Sequence, residues 1–110
     1  MVNDPVFGPV VVFGLGGILA ETLHDTTYRV APFDVGTARD MLSELRAAAI
    51  LHGVRGRPAG DVEALAHTLS AVSEFAWRGR DRLVELDLNP VFVRPAGSGV
   101  AIADALMVLR

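Results

Sequence analysis

Glu85-Leu86-Asp87-Leu88-Asn89-Pro90 is the stretch on which both the fold and the chemistry of this chain turn. Successive side chains of an extended strand point to opposite faces. Val84, Leu86 and Leu88 therefore fall on one face, and Glu85, Asp87 and Asn89 on the other. One apolar face is enough to hold a strand in a sheet. The other face is then free to present three oxygen-bearing side chains in a row, the donor chemistry of a hard cation such as Mg²⁺ completed by water and phosphate. The same alternation also describes a plain solvated strand face.

Working outward, Val91–Val93 continues the strand, and Arg94-Pro95-Ala96-Gly97-Ser98-Gly99 reads as a turn. A last strand is expected from Val100 to about Asp104. If the turn centres between Ala96 and Gly97, antiparallel pairing sets Asn89 opposite Asp104, with Cβ atoms ~4.5–5.5 Å apart. A one-residue slip would destroy that pairing. Asp104 stands among alanines in an apolar run. A carboxylate there has to be paired, metal-bound or at an edge.

Upstream, Pro9–Phe13 is β-branched and aromatic between Gly8 and Gly14 and reads as a buried strand. Ile18–Leu23 and Thr26–Val30 are further short strand candidates around a turn near His24-Asp25. The period then changes. Ala38, Met41, Leu42, Leu45, Ala48, Ala49 and Leu51 recur at helical spacing over Thr37–Leu51. Thr37 with Asp40 resembles a capping pair, and Gly53 is the expected terminator. Asp61 caps a second helix whose buried stripe would be Val62, Leu65, Ala66, Leu69, Val72 and Ala76. The order β-β-β-α-α-β-β predicts an α+β domain, an antiparallel sheet with two helices on one face, covering residues 1–110 as a single unit.

Composition narrows the function. At 110 residues and 51% hydrophobic the chain can bury a core, and its mean hydropathy is +0.39. A net charge of −3, with short basic clusters at Arg55/Arg57 and Arg78/Arg80/Arg82, argues against nucleic-acid binding. Without cysteine there is no thiolate zinc site, no disulfide and no cysteine nucleophile, which fits a cytoplasmic setting. The apolar run Val10–Ala20 lacks a basic flank and is broken by Gly14, Gly16 and Gly17, so neither a signal peptide nor a membrane span is expected.

Gly14-Leu15-Gly16-Gly17 falls short of a dinucleotide fingerprint, and a tight turn or a phosphate contact through bare backbone N–H groups are both open. Glu21 is either part of that site or a surface carboxylate. His24, His52 and His67 match no zinc spacing. Arg55 and Arg57 could grip a phosphate or simply line a solvated loop. Phe75 and Trp77 read as core or inter-lobe contacts.

Four blocks taken in order resemble a known family. They are Gly8-Pro9-Val10 through Gly14-Leu15-Gly16-Gly17-Ile18 with Glu21, then Gly53-Val54-Arg55-Gly56-Arg57-Pro58 with Asp61, then Glu85–Pro90, then Ile102-Ala103-Asp104-Ala105. Together they look like the C-terminal lobe of the ATP-grasp domain of ADP-forming acyl-CoA synthetases, the acetate–CoA ligases related to succinyl-CoA synthetase β chains. The resemblance implies Asn89 and Asp104 as Mg²⁺ ligands and Asp87 as an acidic residue beside the phosphates. It implies Gly14, Gly16, Gly17 and Glu21 on the nucleotide side, with ATP or ADP as the nucleotide. The implied reaction is acyl-CoA + ADP + phosphate ⇌ acid + CoA + ATP, through a phosphohistidine carried elsewhere.

The implied partners are an N-terminal ATP-grasp lobe and a CoA-binding domain or subunit, neither matched by this chain, so it is not expected to turn over alone. Two other readings stand beside this one. The module resembles the regulatory domain of some protein acetyltransferases. It could also be a structural fragment whose exposed inter-lobe face drives homo-oligomer formation.

Overall fold

The computed structural model describes residues 1–15, 25–46, 48–53 and 58–110. Seven strands and three helices follow one another in these segments: β1 (Val2–Asp4), β2 (Gly8–Gly14), β3 (Thr26–Val30), α1 (Val35–Glu44), α2 (Ala48–Leu51), α3 (Val62–Arg78), β4 (Leu83–Leu88), β5 (Val91–Val93), β6 (Val100–Ile102) and β7 (Ala105–Leu109). Five strands form an antiparallel sheet in the order β3-β2-β1-β4-β7, and β5 pairs with β6 in a separate ribbon. The expected α+β arrangement is present.

The core lies between the sheet and the two longer helices. Val11, Leu83 and Leu86 from the strands meet Ala38, Met41 and Leu42 from α1 and Leu65, Ala66, Leu69 and Ala76 from α3. In α3 the stripe follows the helical period, with Ser73 added and with Val62 and Val72 only partly buried. Ser73 is tolerated at 0% exposure because its hydroxyl accepts from Phe33 N (3.1 Å) and can donate to Ser70 O (2.7 Å). Asp61 caps α3 as expected, taking the Ala64 N–H at 3.0 Å. Gly53 sits at φ +89°, the left-handed region that suits a glycine terminator.

Several expectations are corrected. The single helix over Thr37–Leu51 is two helices. It starts two residues earlier, where Asp34 rather than Thr37 is the cap, its carboxylate accepting from Thr37 N at 2.8 Å. It breaks at Leu45, whose backbone is extended, because the Arg46 N–H is taken at 2.6 Å by the carboxylate of Asp25. Val84 does not share the buried face with Leu86. A bulge between Leu83 and Glu85 shifts the register, so Leu83 is 2% exposed and Val84 is 36% exposed. The last strand is really two, β6 and β7, and β1 is an additional strand at the centre of the sheet. The strand expected over Ile18–Leu23 lies outside the described residues.

Candidate functional site

The hairpin at the end of the chain builds the site. In β5–β6, Val91 pairs with Ile102, Phe92 with Ala101 and Val93 with Val100. In β4–β7, Leu88 pairs with Ala105, Asp87 with Leu106 and Leu86 with Met107. Both ribbons keep one register, that of a turn centred between Ala96 and Gly97. The four residues between them follow it too. Asn89 N donates to Asp104 O at 3.1 Å, and Ala103 N donates to Pro90 O at 3.0 Å. Asn89 and Asp104 thus face each other where the main sheet hands over to the small ribbon.

Asp61 holds that turn in place. Besides capping α3, its carboxylate accepts from Gly97 N (3.1 Å) and Gly99 N (2.8 Å), while its own N–H donates to Arg94 O (2.7 Å). Gly97 and Gly99 stand at φ +86° and +81°, conformations that turn their N–H groups toward it and that side-chain-bearing residues rarely adopt. These bonds, Ala64 N first, hold the Asp61 carboxyl below its ordinary value. The sequence shows Asp61 only as a cap. The signal for its second role is the Gly-Ser-Gly spacing of the turn, which needs the fold to become meaningful.

A cleft of about 280 Å³ opens beside this edge and is lined by Gly14, Asp87 and Asn89 together with apolar groups of β2, α3 and β4. The structure therefore brings together three of the proposed site residues around one cleft, with Asp104 opposite Asn89. Asp87 and Glu85 are both exposed positions of β4, whereas Asn89 lies past the end of β4 and is placed by the hairpin rather than by strand alternation. Gly16, Gly17 and Glu21 lie outside the described residues, as do His24, Arg55 and Arg57. His52 and His67 are exposed.

The electrostatics of the edge are one-sided. All ten basic residues of the chain are arginines, and none of those among the described residues lines the cleft. Among the described residues the cleft is lined by Met1, whose α-amino group donates to Leu86 O at 2.8 Å. Burial lowers its pKa while Asp87 and then Glu85 pull it up. A phosphate would meet net negative charge here unless a cation came with it. Gly14 also has a structural reason to be glycine. A Cβ there would stand 3.0 Å from Thr26 Cγ2 and 3.1 Å from Asp25 O.

The chain is thus an antiparallel α+β lobe that presents an oxygen-rich hairpin edge to a cleft. The sequence matches the ATP-grasp domain family over residues 1–109, and the chain belongs to that family. It is 43% identical over 108 residues to the β subunit of the ADP-forming acetate–CoA ligase II of Pyrococcus furiosus, covering 98% of this chain and 46% of that subunit. It is 37% identical over 101 residues to the ADP-forming 4-hydroxybutyrate–CoA ligase of Nitrosopumilus maritimus, covering 92% of this chain and 14% of that enzyme.

Among solved structures it superposes on the dinucleotide-forming acetyl-coenzyme A synthetase 1 of Ca. Korarchaeum cryptofilum, solved in complex with coenzyme A and Mg-AMPPCP. The TM-score is 0.91 and the identity 38%, over 99% of this chain and 50% of that one. The chain spans about half the length of the P. furiosus subunit and of the synthetase chain, and a smaller share of the single-chain ligase. Among the described residues no helix is long and apolar enough to cross a membrane.

Proposed function

We propose that this chain is the phosphate- and Mg²⁺-holding lobe of the ATP-grasp module of an ADP-forming acyl-CoA ligase. The observation that supports it most is the in-register meeting of Asn89 and Asp104 beside a cleft that contains Gly14 and Asp87. The metal fits the donor set. Among the described residues no three His, Cys, Asp or Glu side chains cluster to cage a metal. Mg²⁺ does not require such a cage, because it usually keeps waters and substrate phosphates and takes one or two protein oxygens. Asn89 offers a neutral amide oxygen. Asp104 offers a carboxylate of which one oxygen is occupied by the Ala105 N–H at 2.9 Å.

When bound, Mg²⁺ supplies neutralisation of the charge on the terminal phosphates during phosphoryl transfer. The residues do the remaining work. Asn89 and Asp104 fix the position of the phosphate end of ATP or ADP, because their hairpin is tied down by Asp61. Asp87 places a further carboxylate beside the phosphates and disfavours any approach without a cation. Gly14 keeps the β2 end of the cleft clear of side chain. Gly16, Gly17 and Glu21 complete the nucleotide side on the strength of the family resemblance.

The overall reaction is acid + CoA + ATP ⇌ acyl-CoA + ADP + phosphate, with a phosphohistidine on another domain. It needs a second ATP-grasp lobe and a CoA-binding domain or subunit, in the cytoplasm. The chain alone is a binding unit.

Calorimetric titration of the chain with MgADP and MgATP tests this reading, with wild type and Asp104→Ala compared after circular dichroism has shown both to be folded. Wild type binds only with Mg²⁺ present, and the variant loses most of the affinity. Equal binding by Asp104→Ala, or no binding by folded wild type, rejects the assignment.

A further inference from the structure

The two carboxylate oxygens of Asp61 have different partners. Oδ1 accepts from Ala64 N at 3.0 Å and caps α3, just as Oδ1 of Asp34 accepts from Thr37 N and caps α1. Oδ2 accepts from Gly97 N at 3.1 Å and from Gly99 N at 2.8 Å, donors 36 and 38 residues further along the chain. A helix cap needs only the first of these jobs. The second ties the tip of the β5–β6 ribbon to the start of α3.

The residues before Asp61 join the same contact. Asp61 N donates to Arg94 O at 2.7 Å and Ala96 N donates to Ala59 O at 2.9 Å, on either side of a bridge between Gly60 and Pro95. Gly60 N donates to Leu51 O at 2.8 Å, so the end of α2 is held at the same point. The approach is close, since a Cβ on Gly60 would stand 3.0 Å from Val93 Cγ1. Ala59–Asp61 thus runs along the turn as a short third edge.

The ribbon needs such a hold. β5 and β6 are three residues each and form a sheet of their own, and a two-stranded ribbon that short is marginal by itself. Val91, Val93 and Val100 pack against the core and oppose its lifting. Apolar packing has no direction, whereas two N–H groups aimed at one oxygen fix a position along the strand. That position reaches the site. The register runs unbroken from Val91–Ile102 to Leu88–Ala105, and Asn89 and Asp104 lie between.

We infer that Asp61 is a positioning residue for the Asn89–Asp104 pair, its Oδ2 setting the register of the ribbon while its Oδ1 caps α3. Loss of Oδ2 then weakens the hold on a Mg²⁺–nucleotide without altering either donor. That consequence rests on the function proposed above, whereas the positioning itself does not.

Asp61→Ser separates the two jobs, because serine is as good a cap and carries a single side-chain oxygen. Hydrogen exchange followed by NMR in wild type and variant reads the Asn89 N–H, bonded to Asp104 O, and the Ala103 N–H, bonded to Pro90 O. Both should exchange about tenfold faster or more in Asp61→Ser, the size of one lost hydrogen bond to a charged group. Amides in the middle of α3 and in β2 should keep their rates. Calorimetry on the same proteins should show MgADP bound about tenfold more weakly by Asp61→Ser. Gly60→Ala, which presses on Val93 and leaves the carboxylate in place, should speed the same two amides and decides the matter if Asp61→Ser unfolds. Unchanged exchange at Asn89 and Ala103, or an equal rise across α3 and β2, overturns the inference. Full MgADP affinity in Asp61→Ser where Asp104→Ala loses it does so too. If wild type binds no MgADP, the function proposed above fails and the exchange rates alone decide the role of Asp61.

Discussion

Truncating Leu83, Val84 and Leu86 one at a time tests whether the bulge in β4 sets which side chains face the core. Strict alternation makes Val84 and Leu86 equivalent, both buried. The bulge instead makes Leu83 and Leu86 the core pair at 2% and 6% exposure and leaves Val84 36% exposed. Leu→Ala removes three carbons, worth about 0.8 kcal/mol each on burial. The residual void adds to that, so Leu83→Ala should cost about 3 kcal/mol. Leu86→Ala should fall near 2.5 kcal/mol, because its void joins an existing cleft and encloses less new empty space. Val84→Ala removes two carbons that are already partly wet and should cost about 1 kcal/mol or less.

Urea unfolding reads these values directly. With a slope of roughly 1.5 kcal/mol per molar, the midpoint should drop by about 2 M for Leu83→Ala and by about 0.7 M or less for Val84→Ala, with unchanged slopes. A domain of this size is stable by roughly 5–15 kcal/mol, so all three variants should remain folded without urea. A Val84→Ala shift as large as that of Leu83→Ala would refute the bulge.

Two other predictions come from single polar side chains. Ser73→Ala leaves the buried Phe33 N–H without an acceptor and should lower stability by about 1–3 kcal/mol, whereas Ser70→Ala, half-buried and bonded only to a carbonyl, should cost less. A neutral Ser73→Ala in urea unfolding would contradict this. Asp61 has a folded-state pKa below its ordinary value, and so do Asp34, through Thr37, and Glu44, through Arg29 and then Thr27. Groups of this sign stabilise the fold above the unfolded-state value of about 4 and lose that contribution as the pH falls from there through the lower folded-state value. The stability gap between wild type and Asp61→Asn should therefore shrink on acidification below about pH 4, and a gap independent of pH would show that the Asp61 charge does not matter.

Much of the site was legible in the sequence because its determinants are local. The turn Pro95–Gly99 suggests a register that sets Asn89 opposite Asp104, and the bonds from Asp61 to Gly97 and Gly99 help hold it. Helix α3 was equally plain, with its cap and its stripe in one continuous segment. What was not legible depends on distant partners. The break after α1 needs the Asp25 carboxylate, from a part of the chain 21 residues earlier, to take the Arg46 N–H. β1 is three residues long and becomes a strand only between β2 and β4. β7 was hidden because Asp104 looks like the end of an apolar run, when it is a junction between two ribbons. The bulge at Val84 leaves no mark in an alternating pattern.

Asp61 and Gly14 show how this lobe separates building the site from serving it. The Asp61 carboxylate bonds three N–H groups, and two belong to the turn whose register carries through to Asn89 and Asp104. An exposed hairpin would otherwise slip or fray, since β5 and β6 are only three residues each and pair with nothing else in the main sheet. The first helix-capping residue after a loop thus positions two oxygen donors far along the chain without lining the cleft itself. Gly14 works the other way round. It does line the cleft, yet the Thr26 methyl and the Asp25 carbonyl already exclude a side chain there. Its being glycine is therefore explained by strand packing, whether or not a phosphate comes near. The candidate site accordingly rests less on Gly14 than on Asn89 and Asp104, which the hairpin register brings together.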